Sequence, residues 1–131
     1  MIKQLKKLIK NKNIDGYIIP KNDEFFSEYT SVDRLKIISN FTGSAGLAII
    51  LKKKNYLFVD GRYTIQAHQQ SGKQFKIVEI HKFLPYKIIK NLTLGFDPSL
   101  FTSKQLDTYY GKSLKLKQIK NNLVDLIFKE K

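Results

Sequence analysis

The chain has 131 residues with 42% hydrophobic content, enough for one domain with a single sizeable core. It contains no Cys, which excludes disulfides and thiolate metal centres. Its apolar runs are too short to span a bilayer, and Met1–Lys12 lacks the continuous apolar stretch of a secretory signal, so the expectation is a soluble cytoplasmic protein without a membrane partner. The net charge of +13 raises a nucleic-acid partner, but only Arg34 and Arg62 are Arg, and Lys is scattered over nearly every segment. Base reading favours the planar fork of Arg, and sequence-independent binding needs Lys gathered on one face. A solvated surface is the preferred explanation, and nucleic acid is set aside.

In chain order, Ile2, Leu5, Leu8 and Ile9 recur at helical spacing with Lys between them, predicting an amphipathic helix that ends near Asn13. Tyr17-Ile18-Ile19 is a short buried strand stopped by Pro20. Lys21–Thr30 is polar and holds Asp23, Glu24 and Glu28; Val32–Ile38 is a short helix. A Gly-rich turn, Phe41–Gly46, then leads into two apolar runs, Leu47–Leu51 and Tyr56–Val59, across the polar turn Lys52–Asn55, which predicts a β-hairpin. Asp60 has the chemistry of an N-cap for a helix from Arg62 to Ser71, stopped by a left-handed Gly72.

Beyond Gly72, Phe75–Ile80 reads as a strand, Phe83–Lys90 as a helix with Pro85 in its first turn, and Thr93–Phe96 as a strand closed by Asp97-Pro98. Thr102-Ser103-Lys104-Gln105 fits a capping box that opens a helix ending at Gly111. Leu114–Ile119 is the last predicted strand, and Asn122–Lys131 reads as a short tail. The alternation of helices and strands predicts one α/β sandwich with helices over a mostly buried sheet.

Candidate chemistry is sparse. The Gly-rich turn precedes a strand rather than opening a helix, so it is not a phosphate cradle. Ser44 does not sit in a nucleophile elbow, and His68 and His81 have no carboxylate at ligand spacing. The acidic group Asp23, Glu24 and Glu28 matches no cation-binding loop. Arg62 at a helix N-terminus lies against the dipole. It either grips a carboxylate or carbonyl, or forms a salt bridge to Asp60 or to an acid of the 23–28 loop.

Phe41-Thr42-Gly43-Ser44-Ala45-Gly46 followed by Asp60-Gly61-Arg62-Tyr63 resembles the N-terminal domain of the aminopeptidase P (Xaa-Pro aminopeptidase) family, in the creatinase/prolidase group. Tyr17–Pro20, Ser27–Tyr29, Gly95–Pro98 and Asn122–Phe128 match further segments in the same order, with Phe128 where the family often has Trp. The resemblance spans nearly the whole chain. It implies a mixed, about six-stranded sheet flanked by helices, forming one domain over 1–131 whose last dozen residues lead toward the next domain.

It also implies that catalysis belongs elsewhere. The family's two divalent metals, often manganese, and their ligands lie in a C-terminal "pita-bread" domain, so no catalytic residue or metal ligand is assigned here. The expected partners are the protein's own C-terminal catalytic domain, short proline-containing peptides and a further copy in an oligomer. Arg62 is implied as a peptide-binding residue, with Gly43, Ser44, Gly46, Asp60, Gly61 and Tyr63 as structural support near the cleft. The alternative is a stand-alone peptide- or protein-binding module that has lost the peptidase domain.

Overall fold

A computed structural model describes residues 2–21, 33–43, 45–111 and 114–129. Its elements are α1 (Ile2–Asn11), β1 (Gly16–Pro20), α2 (Arg34–Ser39), β2 (Leu47–Leu51), β3 (Asn55–Val59), α3 (Thr64–Ser71), β4 (Lys76–Glu79), α4 (Pro85–Ile88), β5 (Thr93–Phe96), α5 (Ser103–Tyr110), β6 (Lys115–Gln118) and α6 (Leu123–Lys129). The strands form one six-stranded sheet in the order β4-β3-β2-β1-β5-β6. β1–β2 and β2–β3 pair antiparallel, while β3–β4, β1–β5 and β5–β6 pair parallel. This is the mixed sheet that the sequence resemblance implies.

The apolar runs are continuous because the central strands are covered on both faces. Side chains alternate between them: Tyr17, Ile19, Ala48, Ile50, Leu57 and Val59 pack with α1, α2, α3 and α6. Ile18, Leu47, Ile49, Tyr56 and Phe58 pack on the opposite face with Ile89 and Tyr110. The loss of rotational freedom on ordering these strands is offset by burial, worth about 25 cal/mol per Å² of apolar surface. Among the described residues, no helix is long and apolar enough to cross a membrane.

Local signals hold where they are backed by a cap. Asp33 caps α2 by accepting from the Lys36 amide (3.1 Å), and Asn40 ends it at φ 66°. The capping box is formed: Thr102 Oγ1 accepts from Gln105 N (3.2 Å) and Gln105 Oε1 accepts from Thr102 N (2.9 Å). Pro85 takes the first position of α4, where a missing amide costs no helical bond. Two readings are corrected. Gly72 lies in the right-handed helical region at φ −64°, since the chain turns toward β4 through hydrogen bonds from Gln74 and Phe75 to the Ser71 carbonyl. The segment read as a tail contains helix α6.

That last helix is fixed by polar contacts that no local pattern announces. Asn122 Oδ1 accepts from Val124 N (2.9 Å), and Asn122 Nδ2 donates to the buried Asp97 (2.9 Å), whose other oxygen accepts from Ser99 N and Oγ. Tyr17 Oη accepts from Leu123 N (3.3 Å), and burial pushes that phenol well above its ordinary pKa. Arg34, with its side chain 5% exposed, donates to Asp125 through Nε (2.8 Å) and Nη2 (2.9 Å). Removing one member of such a pair leaves a buried charge poorly compensated. Asp125→Ala is therefore expected to lower the unfolding free energy by about 2–4 kcal/mol, read as a lower urea midpoint at unchanged slope. An unchanged midpoint would show that α6 is held by its apolar face alone.

Candidate functional site

Parallel pairing of β3 with β4, with Val59 opposite Glu79, brings the segments that follow both strands to one end of the sheet. The β2–β3 hairpin delivers Asp60 to that end in extended conformation (φ −66°, ψ 149°). Its Oδ1 accepts from the backbone N of Arg62 (2.9 Å) and from Arg62 Nε (3.1 Å). Its Oδ2 lies 3.3 Å from His81 Nε2. The Arg62 amide bond, then the Arg62 side-chain bond, and to a lesser degree the His81 contact hold the Asp60 carboxyl below its ordinary pKa, because each stabilises the ionised form.

Gly61–Tyr63 forms a 3-10 turn, and the α-helix begins only at Thr64, which corrects the expected helix start at Arg62. Arg62 thus lies in a tight turn, its side chain 77% exposed. The guanidinium carbon sits 5.5 Å from the centroid of the Tyr63 ring, in cation–π range. Tyr63 in turn meets Phe41 edge-on, with centroids 6.1 Å apart and planes at 81°. Arg62 is therefore steered from two sides, by a carboxylate and by an aromatic face that rests on the core.

Phe41 is the point where the Gly-rich turn and the Asp60–Tyr63 turn meet. It is fully buried. A Cβ on Gly43 would stand 2.2 Å from Phe41 Cζ, and one on Gly46 would stand 3.2 Å from the Phe58 carbonyl and 3.3 Å from the Phe41 ring. The turn is glycine-rich because its backbone wraps this ring. Gly61 has a similar neighbour: a Cβ there would lie 2.5 Å from the Glu79 carboxylate. Ser44 lies outside the described residues, as do Asp23, Glu24 and Glu28.

Helix α3 is bound to the same turn by amide side chains. Gln70 Oε1 accepts from Thr42 N (2.9 Å), and Gln70 Nε2 and Gln66 Nε2 both donate to Thr42 Oγ1 (2.8 and 2.9 Å). Deeper in, Ser71 Oγ donates to the Ser39 carbonyl (2.6 Å), and Ser39 Oγ accepts from Phe41 N (3.1 Å). Sequence spacing offers His81 no carboxylate partner. The parallel β3–β4 register is the signal that places it beside Asp60, and a register is not visible in one strand. His68 is exposed on α3.

Chemically, the described residues of the site offer an oriented cation on a turn that rests on the core. Among the described residues, no three His, Cys, Asp or Glu side chains gather closely enough to hold a metal ion.

A family model described as the Creatinase/Prolidase N-terminal domain matches residues 1–126. A probable Xaa-Pro aminopeptidase P of Laccaria bicolor is 34% identical over 144 residues, covering 97% of this chain and 22% of the fungal protein. Two solved structures share the fold. One is an X-prolyl aminopeptidase from Caenorhabditis elegans, described as a cytosolic enzyme with a di-nuclear active site (TM-score 0.77, 24% identity, 98% of this chain and 25% of that one). The other is the N-terminal domain of the cytoplasmic peptidase PepQ from Mycobacterium tuberculosis (TM-score 0.70, 22% identity, 96% of both chains). The chain spans about a fifth of the length of the curated relatives it matches.

Two outcomes test this geometry. Gly43→Ala drives a methyl group into a ring that cannot retreat, and is expected to cost about 1–3 kcal/mol in urea unfolding; a neutral substitution would mean the turn is free to move off Phe41. The depressed Asp60 carboxyl contributes stability that is complete above its ordinary pKa of 3.8 and is lost as pH falls through the lower folded value. Its carboxyl carbon resonance is expected to titrate below 3.8; a midpoint at or above that value would mean the Arg62 contacts do not persist in solution.

Proposed function

From the premise that this chain belongs to the creatinase/prolidase N-terminal domain family, as an N-terminal domain of Xaa-Pro aminopeptidase-like proteins, we propose that it shapes the peptide cleft of a metal-dependent Xaa-Pro aminopeptidase without performing the chemistry. In this reading, residues 120–131 lead toward a C-terminal catalytic domain. That domain holds the two divalent metals, with manganese implied by the resemblance, and removes the residue that precedes proline. The N-terminal domain also contributes contacts to an oligomer.

The observation that carries the reading is Arg62: exposed, yet held by Asp60 on one side and by Tyr63 on the other. Salt bridges that serve only the fold do not need such an arrangement on a surface, where an isolated pair contributes little. A guanidinium fixed in advance loses less freedom when it grips a ligand, and its fork donates well to the carbonyl or carboxylate of a short peptide. Asp60 and Tyr63 are positioning residues for Arg62. Gly43, Gly46 and Gly61 support the turns on which it stands.

In the complete enzyme, Arg62→Ala is expected to lower kcat/KM toward a short Xaa-Pro peptide by about 10–100-fold, the loss of one or two charge-assisted hydrogen bonds. Metal content and the unfolding midpoint should stay unchanged. Arg62→Lys should restore only part of the loss, because an ammonium lacks the planar fork. Unchanged kinetics in Arg62→Ala would remove Arg62 from the cleft.

A further inference from the structure

The sheet sorts the charges of this chain to its two ends. β1, β3, β4, β5 and β6 all begin at one end, and the β2–β3 turn lies there too, because Leu51 lies opposite Gly16, Tyr56 opposite Lys76, and Thr93 opposite Lys115. Each connection at that end brings Lys. Lys73 precedes β4, whose first residue is Lys76; Lys52, Lys53 and Lys54 form the turn between β2 and β3. Lys12 precedes β1, Lys90 precedes β5, and Lys115 opens β6; all of these are exposed.

Contacts tie the array together. Lys6 Nζ donates to the Lys52 carbonyl (3.3 Å), and Lys117 Nζ donates to the Lys12 carbonyl (3.2 Å), so further cations are drawn toward the same rim. Opposing charge is scarce there. Among the described residues, Asp15 is turned inward to accept from Thr93 N (2.8 Å), and Asp107 lies one turn before the end of α5. Asp33, Asp60, Glu79 and Asp125 pair at the Arg62 end with Lys21, Arg62, His81, Lys82 and Arg34, and Asp97 lies at the same end, accepting from Asn122. Like charges gathered this way raise the local potential and favour a polyanion.

We infer that this lysine rim docks the phosphate backbone of a nucleic acid duplex, independently of sequence. Six strands at about 4.8 Å spacing make the rim about 24 Å long. A duplex carries one charge per about 1.7 Å counting both strands, so a rim of that length faces about half of the roughly fourteen phosphates alongside it. The rim has Lys but no Arg, so it offers point charges to phosphates and no fork for base edges. An anionic bilayer fits less well. Among the described residues, the large exposed apolar side chains, Ile65 and Phe83, are both at the opposite end, so the described part of the rim carries charge without an apolar anchor.

The test is fluorescence anisotropy of the protein with two labelled 20-base-pair duplexes of unrelated sequence, from 50 to 200 mM salt. Both should bind equally, with log K falling linearly in log salt at about −0.9 per phosphate contact. The double variant Lys53→Glu/Lys54→Glu should weaken binding at 50 mM salt at least tenfold and flatten the slope by about two units. Lys82→Glu/Lys120→Glu, with the same change in net charge at the other end, should stay within twofold. Absent binding at 50 mM salt, or equal losses in the two variants, would overturn the inference. So would rim-dependent binding to phosphatidylserine vesicles that exceeds binding to the duplexes. Far-ultraviolet circular dichroism and the unfolding midpoint verify that both variants fold.

Discussion

β1, β2 and β3 are buried on both faces, and the organisation of the molecule follows from that constraint. A strand covered above and below has no room for a charged side chain. The charged residues of the connections are therefore placed beyond the ends of these three strands, at the two ends of the sheet. One end receives the turn after β3 and the segment after β4, and with them the Asp60, Arg62 and His81 cluster. The other receives the lysine-bearing connections. The core forms neither cluster, but it decides where each can stand.

At the Arg62 end, the core reaches out through one ring. Phe41 is buried, is approached closely by the backbone at Gly43 and at Gly46, and supports Tyr63 edge-on. Tyr63 lies under the guanidinium, and Asp60 fixes its orientation through two hydrogen bonds from the same residue. Thr42 with Gln66 and Gln70 closes the loop onto α3. Two turns separated in sequence thus behave as one platform, and strain in either is transmitted to the orientation of Arg62.

The exit from the sheet is built on a different principle. α6 carries Val124 and Ile127 into the core, but its placement rests on Asn122, Asp97, Tyr17 and the Arg34–Asp125 pair. Apolar contact alone lets a short helix slide or rotate at little cost. Directional bonds to partners on β1, α2 and the end of β5 fix its axis. If the chain continues into a catalytic domain here, that precision sets where Arg62 stands relative to the chemistry.

Much of this was written locally. The hairpin, the capping box over Thr102–Gln105, the cap at Asp60 and the punctuation by Pro20 and Pro85 depend on neighbours in sequence, so their residues declare them. The motif residues Gly43, Gly46, Asp60, Gly61, Arg62 and Tyr63 were named as a set by the family resemblance, whereas the meeting of their two turns at Phe41 is a tertiary contact. Helix α6 was not, since its partners lie up to 106 residues away. His81 reached Asp60 only through the parallel pairing of two strands, and Gln66 and Gln70 acquired partners only when α3 met the Gly-rich turn. The lysines show the same division most clearly: the sequence fixes their number and scatters them, whereas the strand directions and register gather them on one rim. Local chemistry is determined by adjacency along the chain, and shared surfaces are determined by which strand ends the fold makes neighbours.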